Sequence, residues 1–257
     1  MATFPAQSKG SASTASSSGS NSDVNVAVPA LQGAWWKYTT GALMAVIIYS
    51  AFFVVKGAKG FGGLGDNSRI VFFHVPVAIL SFVTYVVATI YAVQVLQKQD
   101  NQKQDGFDAD GKSAAAMEIG FLFCILTTIT GSIFSRAVWN EYWNWDPSQT
   151  RIVVMLLLFA SYMVLRSANA ETPERRSRLS AVYTIITLVP AFFLIWIVPR
   201  VLESFHPKNV VLSPNNSMDY NIVLRLSFIA FGMLFVWMFQ LRCRLNRLAV
   251  RRQLAQM

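Results

Sequence analysis

The residues best able to do chemistry are two histidines and a dense group of tryptophans. His74 lies in RIVFFHVPVAIL and His206 in VPRVLESFHPKNVV, and the chain has no other histidine. Trp139, Trp143 and Trp145 fall within seven residues of one another in RAVWNEYWNWDPSQTR. Neutral imidazole is a common ligand for metals and for haem iron, and indole rings stack against flat apolar ligands. These residue types together indicate a site for a broad planar ligand, a metal, or both.

Charged and polar groups surround the tryptophans. Asp146 is followed by Pro147, with Gln149 three residues after Asp146, a pattern typical of a helix start in which Asp146 is the N-cap. Arginines predicted near the same surface could bind carboxylates through paired N–H groups, and the propionates of a haem are such carboxylates. These arginines are Arg69, Arg136, Arg151 and Arg200.

The chain that must position these residues is strongly apolar. Its 257 residues are 54% hydrophobic and only 14% charged, with a mean hydropathy of +0.41, which is typical of an integral membrane protein. A helix crosses a bilayer core with about 20 apolar residues. Six stretches approach that length. We predict an all-α bundle of six transmembrane helices over Tyr38–Val55, Ile70–Leu96, Ala114–Phe134, Ile152–Ser167, Leu179–Val198 and Asn221–Leu241.

The distribution of basic residues predicts the orientation of this bundle. An even number of spans puts both termini on one side, and 14 Lys and Arg fall on that side against seven on the other, with Arg225 inside the sixth span. The side richer in Lys and Arg is normally cytoplasmic. We therefore expect both termini to be cytoplasmic, and the tryptophan segment and both histidines to face outward.

Two local features of the site are also predicted. Pro76 suits the first turn of a helix, where its missing N–H is not needed, so the second helix is expected to begin close to His74. If the tryptophan segment is helical, Trp139 and Trp143 share one face, with Tyr142 and Trp145 on the adjoining side.

Each of these features also has a simpler interpretation as an adaptation to the bilayer. A histidine at a membrane interface often serves only as a surface hydrogen-bonding group, and arginines at span ends extend to the headgroups. Tryptophans form belts at both interfaces. A belt accounts well for the isolated Trp35, Trp36, Trp196 and Trp237. It accounts less well for three tryptophans within seven residues, so we keep a ligand-binding site as the second interpretation.

Several classes of function are disfavoured. Cys124 and Cys243 form no CxxC or CxxCH motif, so the chain is neither a thiol oxidoreductase nor itself a c-type cytochrome. The segment KGFGGLGDNS follows a membrane helix and lacks the GK[ST] ending of a phosphate-binding loop. The net charge of +9 is densest in RCRLNRLAVRRQ, beside an inner leaflet that is commonly anionic. No nucleic-acid partner is needed to explain it.

The chain divides into three regions by composition. Residues 1–34 are rich in Ser, Gly and Ala and are predicted to be a disordered cytoplasmic tail. Residues 35–242 form the predicted six-helix membrane domain, and residues 243–257 a basic cytoplasmic tail. Between the second and third spans, the polar stretch QKQDNQKQDGFDADGK is predicted to be a mobile loop.

These motifs resemble those of the haem-handling membrane proteins of cytochrome c biogenesis, which carry a tryptophan-rich WWD motif. WNEYWNWDP matches the segment that ends in W-x-W-D-P, FFHVPVAILS matches the first histidine motif, and His206 takes the place of the second histidine. The match follows order and spacing over roughly residues 35–242. Asn140 stands where members usually have glycine; because Asn tolerates unusual backbone angles, we expect a turn there to survive. Pro207 after the second histidine also departs from the family pattern.

The resemblance implies a site and a function. His74 and His206 would be the axial ligands of haem iron. The haem-binding platform would be Trp139, Trp143, Trp145 and Asp146. Among the arginines that could bind propionates, we predict Arg136 as a haem-binding residue. The transported ligand would be haem b, bound at the periplasmic face of a bacterial cytoplasmic (inner) membrane and delivered to a membrane-anchored haem chaperone for cytochrome c maturation. Its partners would be ATP-binding cassette haem exporter subunits and a small single-span adaptor. A haem-delivery protein is expected rather than a turnover enzyme.

Two other functions fit the composition. An electron-transfer cytochrome b subunit would normally carry its histidines in facing helices near mid-membrane, whereas both histidines here are predicted at one outer edge. A transporter or channel subunit would need a polar path across the bilayer. Glu118 and Arg225 are the only obvious charges within the spans, although Pro190 could kink the fifth span.

Overall fold

Helices account for the regular secondary structure of the described chain. A computed structural model describes residues 35–55, 65–98, 103–206 and 216–255. Six of its helical segments are long and apolar enough to cross a membrane, which confirms the predicted all-α class and the number of spans. These are Trp35–Val54, Asp66–Gln97, Asp108–Trp139, Pro147–Ala168, Pro173–Val201 and Met218–Ala249.

The spans are built from seven α-helices and short turns of other helix types. The first is α1 (Trp35–Tyr49), which continues as a π-helical turn (Ser50–Val54). A 3₁₀ turn (Asp66–Ile70) leads into α2 (Val71–Lys98), followed by α3 (Lys103–Trp139) and α4 (Pro147–Ala168). The fifth span joins α5 (Pro173–Phe192), a π-helical turn (Phe193–Ile197) and α6 (Val198–Val201), and the last span is α7 (Met218–Ala255).

Several helix ends differ from the predictions. The second span begins with the 3₁₀ turn at Asp66. The helix α2 follows at Val71, close to His74 as predicted, but Pro76 is its sixth residue and not part of its first turn. The stretch predicted as a mobile loop is helical from Lys103 onward, and α7 continues to Ala255 through the predicted basic tail. Hydropathy marks only the apolar centre of a span, and polar residues extend these helices beyond it. Residues 1–34, most of KGFGGLGDNS and Pro207 lie outside the described residues.

The two larger of four apolar clusters in the described residues hold most of the bundle together. The helix α2 packs along α3 and also meets α5 and α7, while α1 packs against α7. One cluster lies between α1, α2 and α7, and includes Ile47, Phe72, Tyr220 and Leu224. The other lies between α2, α3, α4 and α5, and includes Tyr85, Met117, Met155, Phe159 and Tyr162. A Cβ at Gly120 would overlap the side chains of Thr84 and Phe159, so this glycine is what lets α3 approach its neighbours so closely.

Ion pairs link the helices at the end of the bundle away from the tryptophans. Arg166 of α4 makes two hydrogen bonds of 2.7 and 3.0 Å to Asp110 of α3. Arg242 of α7 binds Glu118 of α3. Further along the same helices, Arg247 donates to Asp108 at 2.9 Å, and Lys112 pairs with that same carboxylate. Charges at the ends of spans are therefore paired across helices, as their cost in an apolar environment requires.

Candidate functional site

A cleft lies between the tryptophan-segment ends of α2, α3 and α4, with a volume of about 180 Å³. Its lining includes five of the seven predicted site residues, although they come from four separate parts of the chain. They are His74, Trp139, Trp143, Asp146 and His206. The other two predicted residues, Trp145 and Arg136, lie outside this lining. Helix packing therefore assembles most of the predicted site at one end of the bundle.

The two histidine rings face each other across this cleft. Their ring centroids are 6.3 Å apart and their planes are inclined by 37°. Two in-line metal–imidazole bonds of about 2 Å each place the ligating nitrogens about 4 Å apart, and the rings' own radii add to that separation. The observed spacing therefore fits a single metal ion held between the rings.

A threonine on α3 determines which nitrogen of His74 is available. The hydroxyl of Thr130 donates to the carbonyl of Leu126 at 2.7 Å and lies 2.9 Å from His74 Nδ1. While its proton is donated to Leu126, Thr130 Oγ1 accepts from Nδ1 of His74 when that nitrogen carries the ring proton. The other nitrogen, Nε2, then has a free lone pair. This is the arrangement in which histidines usually bind metals.

The neighbouring glycine makes room for the same ring. A Cβ at Gly131 would lie 3.1 Å from Cε1 of His74, closer than an ordinary van der Waals contact. Any other residue at this position would require the imidazole or α3 to move by a few tenths of an ångström. Thr130 and Gly131 thus act together, one orienting the ring of His74 and the other leaving space for it.

The tryptophan segment is not a continuous helix, so the predicted shared face of Trp139 and Trp143 does not form. The helix α3 ends at Trp139, and Asn140 adopts a left-handed backbone with φ of 63°, as expected of a residue in the place of a glycine. Two α3 hydroxyls then tie the following chain back against the helix. Ser135 donates to the carbonyl of Glu141 at 2.6 Å, and Ser132 to the carbonyl of Tyr142 at 2.8 Å.

The three tryptophans end in different environments. Trp139 and Trp143 are half-buried in the cleft wall, whereas Trp145 is 69% exposed at its rim. The rings of Trp143 and Trp145 meet edge to face at 5.7 Å. Within the described residues, Nε1 of Trp143 is buried and has no hydrogen-bond partner. Trp145 also has a positive φ of 54°, a conformation that is strained for a bulky residue and often found at functional sites.

Asp146 starts α4 as predicted. It is the N-cap, its carboxylate accepts the N–H of Ser148 at 2.9 Å, and Pro147 occupies the first turn. The amide of Gln149 accepts the N–H of Asn144 instead of that of Asp146, so the capping box is displaced by two residues. Burial acts to raise the pKa of Asp146, but hydrogen bonds from Ser204, from the Phe205 N–H and from Ser148 outweigh it and bring the pKa below its ordinary value.

The four candidate arginines differ in their position relative to the cleft. Arg151 lines the cleft. Arg136 donates to the carbonyl of Asn140 and lies over the ring of Tyr142. The other two are engaged away from the cleft, Arg69 with Asp66 and the carbonyl of Phe52, and Arg200 with the carbonyl and ring of Trp196. The structure therefore places Arg151 with the histidines.

Comparison with known proteins agrees with this architecture. A family model described as CcmC, Heme exporter protein C, matches residues 20–257. The chain belongs to the Heme exporter protein C family. Heme exporter protein C of Bradyrhizobium diazoefficiens is 28% identical over 204 residues, which cover 79% of this chain and 73% of that protein. The protein of the same name from Rhodobacter capsulatus is 25% identical over 214 residues, covering 80% and 82%.

More distant relatives share part of this length. The cytochrome c biogenesis protein CcsA of Chlamydomonas reinhardtii is 26% identical over 130 residues, which are 48% of this chain and 35% of that protein. The matched residues are therefore about a third of the length of that relative.

Some residues of the site in this Heme exporter protein C family member were not predicted from sequence. Thr130, Gly131 and Ser204 belong to ordinary membrane or loop segments, and none carries a motif. Their roles follow from the rotation of α3 against α2 and from the path of the chain after α6. A single sequence predicts neither the rotation of α3 nor the path of the chain after α6. Hydropathy shows that a helix lies in the bilayer, but it does not show which side of the helix faces a given neighbour.

Proposed function

We propose that this protein binds haem b at the periplasmic face of a bacterial inner membrane and delivers it to a membrane-anchored haem chaperone for cytochrome c maturation. The observation that carries the proposal is the facing pair of imidazoles, His74 and His206, with ring centroids 6.3 Å apart. Membership of the Heme exporter protein C family supports the same conclusion.

In this proposal the two imidazoles would hold haem iron. His74 would supply Nε2, because its Nδ1 is paired with Thr130, and His206 would supply a second nitrogen ligand. Trp139 and Trp143, which line the cleft, would contact the porphyrin. Their indoles provide apolar surface to a ligand whose macrocycle is itself apolar.

The cleft supports delivery rather than permanent storage. Its volume of about 180 Å³ is below the roughly 300–1,000 Å³ of pockets that enclose small ligands. A haem in it would remain partly uncovered. The uncovered edge would lie beside Trp145, which is exposed at the rim, and would be accessible to the chaperone.

The charged groups suit the two propionates of haem. Arg151 lines the cleft and is the arginine we assign to one propionate. Arg136 lies at the exposed edge of the tryptophan segment, over Tyr142, and would meet a propionate that extends beyond the cleft. Bidentate pairing of guanidinium with carboxylate would fix the rotation of the haem about the axis between the histidines.

The same proposal assigns partners and orientation. Both termini lie in the cytoplasm, and haem export depends on ATP-binding cassette subunits and a small single-span adaptor. The excess of Lys and Arg at the end opposite the cleft supports this orientation through the positive-inside rule.

Haem coordination tests the ligand pair. The protein is purified with its chaperone, and haem content and visible spectrum are compared for the parent, His74→Gly and His206→Gly. The parent is expected to give a low-spin spectrum with two nitrogen ligands, and each variant is expected to lose it and regain it on addition of imidazole. Since the chain has no third histidine, an unchanged spectrum in both variants would refute the proposal.

The role of the indoles has its own test. Replacing Trp143 and Trp145 with Leu keeps the apolar character and removes the rings, and haem transfer to the chaperone is expected to fall. Trp237→Leu is the matched control, because Trp237 packs edge to face on Trp36 at 6.3 Å and does not line the cleft. If the tryptophans were only an interfacial belt, the double variant would transfer haem as well as the control.

A further inference from the structure

The segment that carries His206 has no regular structure to hold it. The short helix α6 ends at Val201, and residues 202–206 are irregular. Phe205 is 69% exposed and contacts Trp139 only at a centroid distance of 6.1 Å. An axial ligand on such a segment would be mobile unless polar contacts fixed the backbone.

Those contacts converge on the carboxylate of Asp146, at the start of α4. Ser204 donates its hydroxyl to Oδ2 of Asp146 at 2.5 Å, and the N–H of Phe205 donates to Oδ1 at 2.9 Å. The N-cap bond from the Ser148 N–H also ends on Oδ2. Both carboxylate oxygens are therefore used by the protein itself, although Asp146 lies in the wall of the cleft.

Ser204 connects the carboxylate of Asp146 to the backbone of His206. Its hydroxyl proton is used on Asp146, and its oxygen accepts the N–H of His206 at 3.1 Å. It also lies 2.6 Å from the hydroxyl of Ser148, within hydrogen-bond distance. An unbroken chain of hydrogen bonds thus runs from Asp146 through Ser204 to the backbone of His206.

We propose that Asp146 and Ser204 form a latch that positions His206 over the cleft, so that Asp146 acts on haem through this histidine rather than by touching haem. The proposal rests on the proposed function, because it takes His206 to be a haem ligand. Without the latch, the segment would occupy many conformations, and the affinity for haem would fall with the fraction that is competent to bind.

The latch can be broken without removing the helix cap. Ser204→Ala deletes the bridging hydroxyl but leaves the bond from the Ser148 N–H to Asp146. The full-length protein in detergent is titrated with ferric haem, and the low-spin signal is followed. Ser204→Ala is expected to weaken the two-histidine complex about 10–100-fold, the range typical for residues that orient a metal ligand. Ser204→Thr keeps the hydroxyl and is expected to restore binding. Ser227→Ala removes a buried hydroxyl of α7 and serves as the matched control.

A double-mutant comparison separates positioning from a general structural effect. In His206→Gly with added imidazole, the second ligand comes from solution. Adding Ser204→Ala should therefore cause no further loss of haem affinity. In His74→Gly with imidazole, the same change should weaken binding as it does in the parent. The latch would be overturned if Ser204→Ala lowered haem affinity equally in the His206→Gly and His74→Gly backgrounds, or if it did not lower haem affinity in the parent. An unchanged spectrum in His206→Gly itself would overturn the ligand pair and the latch with it.

Discussion

At the scale of single residues, Thr130 decides how His74 can bind a metal. Thr130→Val keeps the shape of the side chain but removes the oxygen that accepts from Nδ1. The imidazole could then rotate, or protonate at Nε2 and lose its ligating lone pair. We expect haem affinity to fall about 10–100-fold, measured by haem titration of the purified protein.

A threonine elsewhere in the bundle provides the control for this change. Thr89 is buried in α2, donates to the carbonyl of Tyr85 at 2.9 Å, and does not line the cleft. Thr89→Val therefore has the same loss of a helical hydroxyl without a histidine partner. Equal haem affinity in the two variants would show that Thr130 does not orient His74.

Backbone strain at Trp145 predicts that glycine and leucine variants differ in stability but not in haem transfer. Its positive φ of 54° costs about 1–3 kcal/mol in a non-glycine residue. Trp145→Gly removes the strain, whereas Trp145→Leu keeps it, and both remove the ring. We expect the glycine variant to be about 1 kcal/mol more stable than the leucine variant in thermal unfolding, with haem transfer reduced to the same extent in both.

Trp196 shows whether this ranking comes from the backbone. It is 40% exposed and lies in the π-helical turn after α5, where glycine has no conformational advantage. At this position Trp196→Gly should be less stable than Trp196→Leu, by about 0.5–1 kcal/mol. If glycine and leucine rank the same way at both positions, strain at Trp145 is not the cause.

At the scale of elements, Asp146 joins the start of α4 to the segment after α6, and its ionisation should control this junction. Because hydrogen bonds lower its pKa in the folded protein, the stabilisation is present above the unfolded pKa of about 3.9 and is lost as the pH falls through the lower folded pKa. We expect the segment to stay docked from about pH 8 to pH 5 and to become mobile only when the pH falls below the lowered pKa of folded Asp146.

A spin label can measure this docking. Leu202 is 48% exposed, so Leu202→Cys in a background without Cys124 and Cys243 takes a label beside the junction. Its mobility should rise only at the acid end in the parent. In Asp146→Asn the carboxylate is absent, and label mobility should not depend on pH. A parent whose label loosens between pH 8 and pH 5 would contradict the assignment to Asp146.

The elements also show what a single sequence can and cannot predict. Local patterns were sufficient for the six spans and for the cap at Asp146, because each depends on neighbouring residues, whereas the turn at Asn140 was expected from the family resemblance. The shared face of Trp139 and Trp143 depended on the segment being helical, and that condition is not met because α3 ends before Asn140. The bonds from Ser204 to Asp146 and from Thr130 to His74 join residues 58 and 56 positions apart, and nothing local encodes such pairs.

At the scale of the whole molecule, the two ends of the bundle have different tasks. The cleft end holds the histidines, the tryptophans and polar groups that point toward one another. The opposite end holds the ion pairs of α3 with α4 and α7. Between them lie the apolar clusters, so the helices are fixed against one another at a distance from the cleft, where Asp146 and Arg151 are the charged residues of the described lining. Stability and ligand binding should therefore be separable by mutation.

The Asp110–Arg166 pair provides the test of this separation. Both side chains are largely buried, with 7% and 17% of their side-chain surfaces exposed, so Asp110→Leu leaves an uncompensated guanidinium. We expect a loss of about 3–5 kcal/mol in the free energy of unfolding, most of it recovered in the double variant Asp110→Leu/Arg166→Met. Thermal unfolding in detergent measures both free-energy changes.

Below the melting temperature the haem spectrum of either variant should match that of the parent, since the Asp110–Arg166 pair lies at the end away from the cleft. A changed spectrum in the stable double variant would show that the two ends are coupled, and that the ion pairs help to shape the haem site.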